Sequence, residues 1–114
     1  MSIILHIANR EQWEKANLEE VYRCDTLDSY GFIHCSTSIQ IIKVANDLFR
    51  SQKELVLLCI ETSKVQSKII YECAESGELY PHIYGPLNND AVKWVADFEP
   101  AKDGTFMLPK KCIL

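Results

Sequence analysis

Arginine, glycine and paired cysteine are scarce in this chain, and each scarcity excludes something. The three arginines, Arg10, Arg23 and Arg50, are scattered along 114 residues. With a net charge of −4 and a sequence pI near 5.3, no basic face is expected for a nucleic-acid polymer. The one basic pair, Lys110-Lys111, is too short to supply it. The four glycines, at positions 31, 77, 85 and 104, are too far apart for a glycine-rich phosphate loop. There is no Cys-x-x-Cys and no His-Glu-x-x-His, so the compact zinc motifs are missing and no metal is expected. Three scattered histidines keep a metal-dependent hydrolase open as a lesser alternative.

The chain also lacks a long apolar run. The best, Leu55 to Ile60, is strand-sized and far short of a membrane span. The first residues carry neither the basic stretch nor the apolar core of a signal peptide. Five cysteines, an odd number without paired spacing, are expected as free thiols, and the expected location is cytoplasmic. The length suits one domain over residues 1–114, burying roughly two-thirds of the unfolded surface.

Hydrophobic periodicity supplies the elements. Ile3 to Ala8 reads as a strand with Ile4, His6 and Ala8 on one face. Asn9 is placed to cap a helix running to about Glu20, with Gln12 in the capping-box position. Asp28-Ser29-Tyr30-Gly31 reads as a turn into a short strand at Phe32 to Cys35. Ser36, Thr37 or Ser38 then caps a second helix, Ile39 to Arg50, and Glu54 to Ile60 is a strand covered on both faces. Lys68 to Cys73 alternates, leaving Ile70 and Glu72 on one side. Pro81 to Pro86 is expected to be irregular or edge-like, because proline cannot donate to a ladder. Asn88-Asn89-Asp90 reads as a turn or helix start before a late strand, Val92 to Phe98. The order of elements predicts an α+β domain with two main helices.

All three histidines sit in distinctive strings: Leu5-His6-Ile7, Gly31-Phe32-Ile33-His34-Cys35-Ser36, and Pro81-His82-Ile83-Tyr84-Gly85-Pro86. Imidazole is the side chain whose proton moves near neutral pH, so three of them on framework elements suggest a built pocket. Each has a plainer explanation. His6 on a strand is more often a core histidine satisfied by backbone. Ser36 beside His34 is explained by helix capping as well as by an anion seat on its amide. The His82–Tyr84 segment is either a rigid closing loop or the lining of a site. Glu72 reads as an acid between apolar neighbours, either partnered inside or lying at an exposed edge. A Cys35 nucleophile would need His6 or His82 as its base, since His34 points to the opposite strand face.

Taken in order, Leu5-His6-Ile7 with Trp13, the Gly31-to-Ser36 string with Gln40 and Ala45-Asn46, Leu55 to Leu58, Tyr71-Glu72, the Pro81-to-Leu87 string, Ala91-Val92 and Gly104-Thr105-Phe106 resemble the domain of unknown function 952 family of bacteria. That family is similar in organisation to the ADP-ribosyltransferase-like superfamily. The resemblance implies a bent, split mixed sheet around a nucleotide cleft that takes NAD or a related small nucleotide. It implies roles for His6 at the ribose, for His34 and Ser36, and for Glu72 as the acid. The leading expectation built on it takes His34, Glu72 and His82 as catalytic, with His6, Ser36, Gln40 and Tyr84 as ligand contacts. A non-catalytic module binding a nucleotide or another small ligand is the alternative. The shortage of arginines to grip a pyrophosphate departs from the pattern.

Overall fold

In the computed structural model, residues 2–110 are described. The chain opens with β1 (Ile3–Asn9), α1 (Arg10–Glu19), β2 (Val21–Tyr22), α2 (Asp25–Tyr30), β3 (Ile33–His34) and α3 (Ile41–Leu48). It continues with β4 (Leu55–Glu61), β5 (Lys68–Cys73), β6 (Leu79–Tyr84), β7 (Leu87–Asn88) and β8 (Val92–Asp97), with short 3-10 turns at Thr62–Lys64 and Asn89–Ala91.

The strands form three small sheets, ordered β1-β4-β8, β3-β6-β5 and β2-β7. The unbroken apolar run of β4 is explained by its place at the centre of the first sheet, where all seven of its residues are buried. Val56, Leu58 and Ile60 join Ile4, Ala8, Trp13 and Tyr22 in one core. Leu57 and Cys59 join Leu5, Ile41, Ala45, Phe98 and Phe106 in the other. The second sheet sends Ile33 and Ile83 into the first core, which therefore lies between the two sheets. One bridge joins the sheets: the Leu5 N–H donates to the Ser36 carbonyl at 2.7 Å, and the Ser36 N–H donates to the Leu5 carbonyl at 2.8 Å.

The α+β class and most of the elements agree with the sequence, and several expectations are corrected. Every ladder among the described residues is antiparallel, so the expected mixed sheet is not found. The expected turn at Asp28–Gly31 is the end of a third helix, α2, which stops where Gly31 takes a left-handed φ of 86° and donates to the Leu27 carbonyl. None of that helix's residues is buried, so it carries no apolar stripe to reveal it.

The second helix is shorter than expected. Gln40 forms its N-cap, while Ser36 is held in the bridge to Leu5. Asn9 does cap α1, accepting from the Gln12 N–H at 3.2 Å, but the Gln12 side chain reaches Asp25 instead of closing a capping box.

The Pro81 segment is the central strand of its sheet. Its carbonyl accepts from the Cys35 N–H at 3.1 Å, and by antiparallel geometry its nitrogen faces the same way. The missing donor therefore falls where β3 ends and removes no bond to β5. Among the cysteines, Cys24, Cys35 and Cys73 are free. Cys59 is disulfide-bonded, against the expectation of a free thiol, and Cys112 lies outside the described residues. No helix among the described residues is long and apolar enough to cross a membrane.

Candidate functional site

The β3–β6 ladder pairs Ile33 with Ile83 and His34 with His82. The isoleucines point into the core, so the pleat turns the two imidazoles to the opposite face. Their ring centroids lie 5.3 Å apart in an edge-on arrangement. Phe32 shares that face, two residues before His34, and stacks on His82 at 4.0 Å. Tyr30 stands edge-on to His34 at 5.5 Å.

On the other side of β6, the register places Ile70 opposite His82 and Glu72 opposite Tyr80. Glu72 is thus the diagonal neighbour of His82, and its Oε1 lies 2.7 Å from His82 Nδ1. The Tyr84 hydroxyl donates to the same oxygen. A carboxylate only accepts, so Nδ1 carries the His82 proton and Nε2 is left as the acceptor. These donors, Tyr84 first and His82 second, hold the Glu72 carboxyl below the usual range, while the bond to Glu72 pushes the Tyr84 hydroxyl up. Burial, with a smaller contribution from neighbouring His82, lowers the His34 pKa.

His6 belongs to a different circuit. Its Nδ1 donates to the His34 carbonyl at 2.5 Å and its Nε2 accepts from the Tyr22 hydroxyl at 2.9 Å. Burial brings its pKa down to about 4, so the ring is neutral at pH 7. With both nitrogens engaged, His6 is the satisfied core histidine of the plainer explanation, and the expected ligand contact through its ring is corrected.

A cavity of about 1100 Å³ lies along the free edge of β1, with His6, His34, Ser36 and His82 among its lining residues. The expected convergence of the three histidines on one hollow is therefore found. Ile41, Val44 and Leu48 of α3 form an apolar wall, and Glu11, Gln12 and Lys15 of α1 form a polar one.

Two polar features of this cavity lack protein partners. The first is Ser36 Oγ, which has no hydrogen bond among the described residues although the residue is only 3% exposed. The second follows from the ladder. Leu5 turns its N–H and C=O away from β4 toward Ser36, so Ile7, two residues later, presents its own pair at the same open edge.

The other sequence-derived residues divide. The Ser36 amide is committed to Leu5, which removes it as an anion seat and leaves only the hydroxyl. Gln40 is a clamp: Oε1 accepts from the Thr37 N–H at 3.0 Å, and Nε2 donates to the Leu79 carbonyl at 2.9 Å. Gln40 does not line the cavity, which corrects its expected ligand role. Glu72 and Tyr84 do not line it either, but both support His82 from the far side. Sequence reasoning missed Phe32 as a site residue, although its spacing from His34 puts both on one strand face. It also missed Tyr22, which carried no signal. No group of three or more His, Cys, Asp or Glu among the described residues is placed to hold a metal ion.

A family model described as "Protein of unknown function (DUF952)" matches residues 7–95. The X-ray structure of protein CC0527 from Caulobacter crescentus superposes with a TM-score of 0.87 at 30% identity, covering 94% of this chain and 95% of that one. The solution NMR structure of CC0527 gives 0.79 at 32% identity, over 92% and 91%. No curated protein matches.

Proposed function

The chain belongs to the DUF952 family, and from the chemistry of its cleft we propose that it binds the nicotinamide–ribose end of NAD or a related nucleotide and cleaves the C1′–nitrogen bond. The carrying observation is that an oriented imidazole pair, His34 and His82, opens into the same cavity as the unpaired edge of β1. The Ile7 N–H and C=O form a donor–acceptor pair that complements a primary carboxamide. Ser36 Oγ, which has no protein partner and lies in the cavity wall, fits a ribose hydroxyl. Both features suit the nicotinamide–ribose end of the ligand.

The ligand supplies a glycosidic bond whose cleavage develops positive charge on the ribose. The chain's own residues do the rest. Glu72 fixes His82 with Nδ1 protonated, so Nε2 is the base that takes a proton from the attacking water or acceptor. His34, lowered by burial, stands edge-on to His82 as a second imidazole on the same face. Glu72 acts through His82 as a positioning residue, in place of the direct charge stabilisation the family resemblance implies. Ile41, Val44 and Leu48 of α3 give the cleft one apolar side.

A second reading, a non-catalytic binding module, is favoured by one observation: no carboxylate of the histidine cluster lines the cavity, since Glu72 stands behind His82. Thermal shift with NAD, ADP-ribose and nicotinamide riboside, followed by measurement of nicotinamide release, separates the two. A ligand at about a hundred times its Kd adds about 2.7 kcal/mol of stability. Stabilisation with release that is lost in His82→Asn supports the enzyme, and stabilisation without release supports the module. No stabilisation by any of the three overturns both.

A further inference from the structure

We infer that the cleft selects the phosphate-free riboside over any phosphorylated form of the same ligand. This rests on the N-riboside reading above and concerns the charge around the cavity. Helix starts are ordinarily anion seats, since their first N–H groups lack partners and the dipole favours negative charge. Three helices begin beside this cleft: α1 has a side-chain cap, α2 has acids in its first turn, and α3 has no side-chain cap. Asn9 Oδ1 takes the Gln12 N–H at the start of α1, with Glu11 in the same turn. Asp25 and Asp28 occupy the first turn of α2. Gln40 Oε1 takes the Thr37 N–H just ahead of α3.

The cavity's charged lining is Glu11, Asp25 and Asp47 against Lys15 alone. None of the three arginines lines it, and Arg10 is committed elsewhere, to Asp97 at 2.8 Å and Glu54 at 3.4 Å. A phosphate dianion entering this cleft meets three carboxylates against one lysine. A ribose hydroxyl still finds Ser36 Oγ, and a cationic pyridinium ring is drawn in by the acidic rim. The selectivity is electrostatic, so it depends on ionic strength.

The test is calorimetric titration of the full chain with nicotinamide riboside, nicotinamide mononucleotide and NAD in low salt. The mononucleotide is expected to bind at least about tenfold more weakly than the riboside, the effect of about one like-charge contact near 6 Å in a half-solvated cleft. The gap narrows as salt is raised to about 0.3 M. The double variant Glu11→Gln, Asp25→Asn closes most of the gap from both sides, strengthening the mononucleotide and weakening the cationic riboside. Mononucleotide or NAD binding as tightly as the riboside overturns this inference and leaves the N-riboside reading standing. A gap that neither salt nor the double variant changes overturns its electrostatic cause. Failure of all three compounds to bind overturns the inference and the reading together.

Discussion

Glu72 grips His82 across a diagonal of the β5–β6 ladder, Oε1 to Nδ1 at 2.7 Å, and Tyr84 donates to the same oxygen. The carboxyl is depressed by these donors, chiefly Tyr84. An acid whose folded pKa is depressed stabilises the fold above its unfolded pKa, about 4.3 for Glu. That contribution is lost as pH falls through the lower folded value. Tyr84→Phe removes the largest cause, so the Glu72 carboxyl should titrate closer to the ordinary glutamate value. Side-chain 13C titration of Glu72 in both proteins checks this, and an unchanged midpoint would mean that Tyr84 does not hold the carboxylate.

His6 titrates with the opposite chemistry in a different window. Its folded pKa, about 4, lies below the ordinary histidine value of about 6.5. The unfolded chain therefore binds the extra proton first, and stability falls as pH drops from about 6.5 toward 4. The full loss across that window is about 3 kcal/mol. Urea denaturation at pH 7.5, 6 and 4.5 should trace the decline, and His6→Phe should flatten it. Tyr22→Phe leaves the buried Nε2 without its donor and should cost about 1–3 kcal/mol at pH 7.

How far the sequence revealed this site depends on what sets each contact. β1, β4, β5 and β8 were visible because each has either a clean period or a continuous apolar run, and α1 because Asn9 marks its start. The helix α2 was not, since no residue of it is buried and only Gly31 marks its end. Pro81 misled because proline argues against a central strand, while its lost donor falls harmlessly where β3 terminates. The histidine strings marked the site, but the Glu72–His82 contact is fixed by the register of the hairpin turning at Ala74–Glu78. Register depends on turn geometry that no local pattern discloses. The hydrogen bonds of His6 and Gln40 were hidden for a related reason: their partners, Tyr22 and Leu79, lie 16 and 39 residues away.

Gln40 holds the segment leading into α3 to β6 through bonds to Thr37 and Leu79. Gln40→Ala removes both and should lower stability by about 1–2 kcal/mol, near the usual worth of two partly exposed hydrogen bonds. Since Gln40 does not line the cavity, ligand affinity corrected for the unfolded fraction should remain within about twofold. Chemical denaturation and titration of the same preparation separate the two effects. A large affinity loss with unchanged stability would return Gln40 to the binding site.

Ser36 is expected to behave in the reverse way. Its backbone is fixed on both sides of the bridge to Leu5, and that bridge survives any side-chain change. Its residue lines the cavity and its hydroxyl has no protein partner. Ser36→Ala removes a polar group that gains nothing in the free protein, so stability should be unchanged or rise by up to about 0.5 kcal/mol. Binding should weaken by about fivefold to tenfold, the worth of one hydrogen bond to a ribose hydroxyl. Thermal melts without ligand and calorimetry with nicotinamide riboside measure the two quantities independently. A marked loss of stability would show that the hydroxyl serves the fold, and unchanged affinity would remove Ser36 from the ligand's contacts.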